Sequence, residues 1–149
     1  MKLIFLDVDG VLNTTSNWGI KLVNGVWEGG TIEPAKVSAI NQIVDATGAK
    51  IVVSSMWRVG RTVEDLQKLL NDEGAEFEII GTTPEAPRER WGQILKWLQS
   101  HSGALNSHYV IIDDWLEAGW GHSGHFVNTD PEVGITDADV QKAIEILNA

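Results

Sequence analysis

Two aspartates one residue apart, Asp7 and Asp9, stand directly after the apolar run Leu3 to Leu6 and are followed by Gly10. Carboxylates this close repel each other unless a cation or a shared proton intervenes. A second acidic pair, Asp113-Asp114, ends the run Tyr109-Val-Ile-Ile, and a third apolar run, Ile51 to Val53, leads into the hydroxyls of Ser54 and Ser55. Carboxylates, hydroxyls and an arginine suit phosphoryl transfer, which needs a nucleophile, a cation and charge neutralisation more than elaborate covalent chemistry. Each acidic pair alone also suits a turn, since Asp and Gly are ordinary turn residues. Two acidic strand ends with a hydroxyl and an arginine-bearing helix start are harder to explain that way.

The elements that must position these groups alternate between strand and helix, the pattern of an α/β fold. Four apolar residues in a row suit a strand buried on both faces of a parallel sheet. A carboxylate is costly inside such a strand, so Asp7 and Asp9 belong where it emerges at its C-terminal edge. Gly10 then permits a sharp turn and keeps the backbone open to a ligand. Residues 14–33 read as a small β-flap, because Asn24-Gly25 between apolar residues is a strong hairpin signal. Helices are expected from Pro34 to near Gly48, after Thr62, from about Arg88 to Gln99, and from Thr136 to the end. Further strands are expected at Lys50–Val53, Phe77–Ile80, Tyr109–Ile112 and Phe126–Val127. Right-handed crossovers make these strands parallel and bring their C-terminal ends to one edge, where open α/β sheets bind ligands.

One domain is expected over residues 1–149. With no cysteine, neither disulfides nor a thiolate metal site is possible. The beginning of the chain reads as a strand rather than a signal peptide or membrane span, so a soluble, cytoplasmic protein without a membrane partner is expected. A net charge of −10 spread along the chain argues against strong binding of duplex nucleic acid, which needs a basic face. A small anionic substrate stays open, because a metal ion and a few arginines can reverse the sign of a pocket.

Asp7-Val-Asp-Gly-Val, Ser54, Arg90 and Asp113-Asp114 resemble the four ordered motifs of the haloacid dehalogenase (HAD) superfamily of phosphohydrolases. More closely, Phe5-Leu-Asp-Val-Asp-Gly-Val-Leu-Asn, Ser54-Ser-Met-Trp-Arg, Gly81-Thr-Thr-Pro, Ile94-Leu-Lys-Trp-Leu and Tyr109-Val-Ile-Ile-Asp-Asp resemble the small HAD domains associated with RNA-repair proteins. The resemblance implies a Rossmann-like three-layer sandwich with a parallel sheet of order 5-4-1-2-3, carrying a small flap and no large cap. It also implies roles. Asp7 would attack phosphorus and form an aspartyl-phosphate, while Asp9 would protonate the leaving oxygen and then activate water. Ser54 would bond a phosphoryl oxygen and Arg90 would neutralise charge. Asp114, supported by Asp113, would hold Mg2+ with Asp7 and the backbone carbonyl of Asp9.

Some assignments stay open between neighbours. Ser55 replaces Ser54 as the phosphate ligand if the strand ends one residue later. Arg88 competes with Arg90, which fits the family pattern better by standing four before Ile94. Arg58 and Trp57 are candidate substrate contacts, together with the backbone at Gly10. Seven tryptophans are many for this length. Trp91 and Trp97 suit packing, whereas Trp18, Trp27, Trp57, Trp115 and Trp120 are expected near the mouth, where they either close the core or stack on a base. His122 and His125 read as loop residues. The substrate expected is a nucleotide or a nucleic-acid terminal phosphate. The alternatives are a small phosphorylated metabolite and, in a different class, a receiver-like phosphoacceptor module.

Overall fold

The computed structural model describes residues 1–15, 21–28, 31–101, 103–104 and 107–149, with 21–23 and 26–28 described by their backbone alone. In chain order the elements are β1 (Lys2–Leu6), β2 (Lys21–Val23), β3 (Val26–Glu28), α1 (Pro34–Thr47), β4 (Lys50–Val53) and α2 (Val63–Asn71). They continue with β5 (Ile79–Thr82), α3 (Arg90–Ser100), β6 (His108–Asp113), β7 (Phe126–Asn128) and α4 (Asp137–Asn148).

Five strands form one sheet in the order β5-β4-β1-β6-β7, with every neighbouring pair parallel. Counted along the main sheet, this is the expected 5-4-1-2-3 order read from the other edge. It differs from the 2-1-3-4-5 order of receiver-type folds. The central strand β1 is buried along Leu3, Ile4, Phe5 and Leu6 because helices cover both faces. Ile4 and Leu6 meet Val37 and Ile40 of α1, Leu66 of α2 and Val140 of α4 in one core cluster. Leu3 and Phe5 point the other way, into a second cluster with Ile94, Trp97 and Leu98 of α3. Trp97 and Tyr109 both meet the Phe5 ring edge-on, at centroid distances of 5.6 and 5.9 Å.

Helix boundaries follow local chemistry where that chemistry is local. Thr62 and Thr136 each begin a helix with a capping box, accepting from the backbone N–H of Asp65 and Asp139 while those carboxylates bond back. Pro34 opens α1, and Gly48 closes it in the left-handed conformation. The Asn24-Gly25 hairpin is present: β2 and β3 pair antiparallel, and both turn residues have positive φ, as a type I′ turn requires. The rest of the expected flap, including residues 16–20 with Trp18 and residues 29–30, lies outside the described residues, as does the Trp27 side chain.

Two elements start two residues later than expected. β5 starts at Ile79 rather than Phe77, because the Gln67 side-chain amide takes the Phe77 carbonyl and the Ile79 N–H that a neighbouring strand would otherwise pair. The β4–β5 register also shifts between Ile51 and Val52. α3 starts at Arg90 rather than Arg88, because the backbone N–H of Arg90 donates to the Glu117 carboxylate at 2.6 Å. Glu117 caps that helix from 27 residues away, so no local motif announces it. Among the described residues, no helix is long and apolar enough to cross a membrane.

Candidate active site

Strand parity sets out the site. β1 and β6 are hydrogen-bonded neighbours in the register Leu6↔Ile112, and the Asp7 N–H continues the ladder to the Ile112 carbonyl at 3.1 Å. Side chains alternate along a strand, so Asp7 follows Leu3 and Phe5 onto the α3 face. Asp113 follows Tyr109 and Ile111 onto the same face. Arg90, the first residue of α3, arrives there over the strand ends. Its Nη1 lies 2.9 Å from Asp113 Oδ2 and 3.3 Å from Asp7 Oδ1, and all three residues are buried. Its guanidinium also lies 4.2 Å from the centre of the Trp115 ring, a cation–π contact.

The carboxylates have separate surroundings. Asp113 is fully engaged, with Oδ2 on Arg90 and Oδ1 accepting from the Trp115 N–H at 2.8 Å. Asp114 keeps Oδ1 buried and without a partner. Gly10 explains how Asp114 comes so close. A Cβ at residue 10 would lie 2.6 Å from the Asp114 carboxyl carbon, and the φ of +83° suits glycine besides. Thr129 fixes this turn by donating to the Gly10 carbonyl at 2.7 Å.

Asp9 turns elsewhere. Its Oδ1 accepts from Asn13 Nδ2 at 2.9 Å and its Oδ2 from Trp57 Nε1 at 3.0 Å. Asn13 in turn accepts from the Gly10 N–H, so one side chain ties together both ends of the turn. Asn13 stands in the motif but was not singled out by its type. The signal was its spacing of four from Asp9, a distance that one helical turn closes.

Asp7, Asp113 and Asp114 offer carboxylate oxygens that all lie within 4.8 Å of one another. The Asp9 carboxylate is outside this cluster, in keeping with its expected place in the metal set through the backbone carbonyl alone. Burial raises the Asp7 carboxyl to about 7, against the lowering pull of Arg90 and helped by a hydrogen bond with Asp114. Burial, then repulsion from Asp7, raises Asp113 to about 7 as well, with Arg90 again opposing. Asp114 is also raised, chiefly by burial. Three crowded carboxylates whose ionised forms are all disfavoured are short of positive charge, and one of them has an unpartnered oxygen. Hard oxygen donors in this number fit a divalent cation such as magnesium.

The remaining candidates separate by contact. Ser55, Met56, Arg90 and Trp115 line a cavity of about 150 Å³ together with Asp7, Asp9 and Asp114. Ser55 also caps the following 3-10 turn by accepting from the Trp57 N–H at 3.2 Å. Ser54 does not line that cavity, and its hydroxyl is buried without a partner, as is that of Thr83. Trp57 is buried against Asp9 rather than laid open to a substrate. Arg58 is likewise not at the mouth. Its Nε donates to the Thr83 carbonyl, its Nη1 to those of Ser54 and Ser55, and its Nη2 to the Pro84 carbonyl and Gln93 Oε1. The guanidinium has five N–H groups, and these five bonds occupy them. Arg88 is exposed in the loop before α3.

His122 and His125 flank Tyr109 on the α3 side. His122 donates from Nε2 to the Trp91 carbonyl and accepts the Tyr109 hydroxyl on Nδ1, and burial lowers its pKa. His125 stacks on Tyr109 with ring centres 3.9 Å apart. Both serve packing.

This geometry is a carboxylate nucleophile candidate, a second carboxylate held apart from it, a buried arginine and a cation-deficient acidic cluster around one small cavity. A family model described as the HAD domain in Swiss Army Knife RNA repair proteins matches residues 3–140. No curated protein and no solved structure matches the chain. The family match runs over nearly the whole sequence and includes every strand of the main sheet, so this chain belongs to the HAD domains of Swiss Army Knife RNA repair proteins.

Proposed function

We propose that this domain is a Mg2+-dependent phosphomonoesterase working through an aspartyl-phosphate, with a nucleotide or a nucleic-acid terminal phosphate as its substrate. The observation that carries this reading is Arg90, buried between Asp7 and Asp113 on the wall of a cavity of about 150 Å³. That space suits a phosphoryl group, and HAD domains are generally phosphatases or other hydrolases. The family's RNA-repair setting supports a nucleic-acid end, while the net charge of −10 disfavours a long duplex.

The chain's residues divide the work. Asp7 attacks phosphorus, and the bond to the ester oxygen breaks as Asp9 delivers a proton to it. Trp57 and Asn13 hold Asp9 by one donor on each oxygen, leaving lone pairs for that proton. Asp9 then takes a proton from water, the water attacks phosphorus, and Asp7 is released with inorganic phosphate. Arg90 neutralises the equatorial oxygens and Ser55 donates its hydroxyl to one of them. Asp7, Asp113 and Asp114 would hold magnesium, which would supply the positive charge that keeps these carboxylates ionised near an anionic substrate.

The test is release of inorganic phosphate in the presence of Mg2+ from nucleotides, 3′- and 5′-phosphorylated oligonucleotides, sugar phosphates and an aryl phosphate. Turnover is expected for the first two groups. D7N is expected to lose more than about a thousandfold, since without the nucleophile the covalent route is closed. Silence toward every ester, or full activity in D7N, would defeat the proposal.

A further inference from the structure

A larger groove of about 690 Å³ opens beside the phosphate cavity and shares Asp114 and Trp115 with it. Trp115 is 52% exposed, an unusual state for the largest apolar side chain, and Leu116 beside it is 66% exposed. The ring is nevertheless held in place. The Arg90 guanidinium lies against it, and the backbone N–H of Trp115 is tied to Asp113 at 2.8 Å. An exposed aromatic ring anchored on Arg90, which lines the phosphate cavity, and on Asp113, which pairs with that arginine, is a preorganised platform beside the reacting bond.

From this we propose that Trp115 and Leu116 form a leaving-group subsite that takes the neutral nucleobase of the nucleotide carrying the scissile phosphate. The proposal rests on the phosphatase reading above and deepens it. The other groove walls are Arg88, Glu89, Asp114 and Glu117, three carboxylates to one cation. A second phosphate would find no net counter-charge there, whereas a flat uncharged ring stacks on indole irrespective of its sequence. The substrate class is therefore a mononucleotide or the last nucleotide of a strand, recognised by its base rather than by the neighbouring backbone.

Two pairs of esters that differ only in the base test this. They are adenosine 5′-monophosphate against ribose 5-phosphate, and adenosine 3′-monophosphate against ribose 3-phosphate. In whichever pair is turned over with Mg2+, the wild-type quotient of kcat/KM, nucleotide over sugar phosphate, is expected to be on the order of tenfold. It should fall toward one in W115A and be largely kept in W115F, which retains a stacking face. If Trp115 acted only through Arg90, W115A would slow both esters alike and leave the quotient intact, and the subsite would be overturned. A wild-type quotient near one would overturn it too, with the phosphatase reading still standing. Release of phosphate from none of these esters, nor from an aryl phosphate, would remove both.

Discussion

The loops that follow β4 and β6 both reach the active edge, and they are built in opposite ways. The one after β4 is tied to the loop after β5, with only the Ser54 hydroxyl buried and unpartnered at its start. Arg58 satisfies the carbonyls of Ser54, Ser55, Thr83 and Pro84, and Gln93 joins by donating to the carbonyls of Glu85 and Pro87. The loop after β6 leaves business open: a buried Asp114 oxygen without a partner and the exposed rings of Trp115 and Trp120. Two arginines mark the contrast. Arg58 and Arg90 are both buried, but Arg58 faces neutral acceptors and Arg90 faces carboxylates. A cation whose donors are all taken by neutral acceptors is scaffold, and one that balances excess negative charge is poised for an anion.

This contrast breaks most decisively at Arg90. R90A is expected to lower kcat/KM by about 10²–10³-fold, the scale of one lost charge-stabilising donor, while folding is retained because Asp7 and Asp113 can take up protons. Steady-state kinetics with urea denaturation of the same variant would show it. A variant that lost stability and kept its rate would make Arg90 scaffold after all.

The reverse is expected at Arg58. R58A leaves several buried carbonyls without donors, a cost of about 3 kcal/mol in urea unfolding. Its folded fraction should still release phosphate. Lost turnover at unchanged stability would return Arg58 to the substrate contacts expected from its place after Ser54.

The smallest effect sharpens the acidic side. In the metal-free fold Asp7 and Asp113 hold protons up to about 7, whereas unfolded carboxyls release theirs near 3.8. The folded state thus binds more protons across that window, so their stabilising contribution is complete below about 3.8 and is lost as pH rises through about 7. Magnesium must displace those protons. Saturating Mg2+ should raise the melting temperature by a few degrees at pH 8 and by almost nothing at pH 5, with the difference reduced in D113N. An equal shift at both pH values would detach magnesium from these carboxylates.

Much of the architecture was legible because its causes are local. Apolar runs, the Asn24-Gly25 turn, the capping threonines and Pro34 each act over a few residues, so their patterns read directly. The acidic strand ends were equally plain. Trp57 and Arg58 were read as substrate contacts because an exposed cation or ring after a strand looks available. Whether it is available depends on Thr83, Gln93 and Asp9, which are brought to it by other elements. The choice between Ser54 and Ser55 turned on one residue of strand length, and the cavity is lined by Ser55.

The sequence by itself determined the inventory: an α/β chain, carboxylates after its first and fourth main strands, hydroxyls after the second, and an arginine at a helix start. Tertiary structure decided the partnerships. Strand parity turned Asp7 and Asp113 toward α3, Glu117 set where that helix begins, and Gly10 made room for Asp114. The physical reason is range: hydrophobic period and turn chemistry are settled between near neighbours, while the charge balance of a buried site depends on groups that only the folded sheet edge brings together.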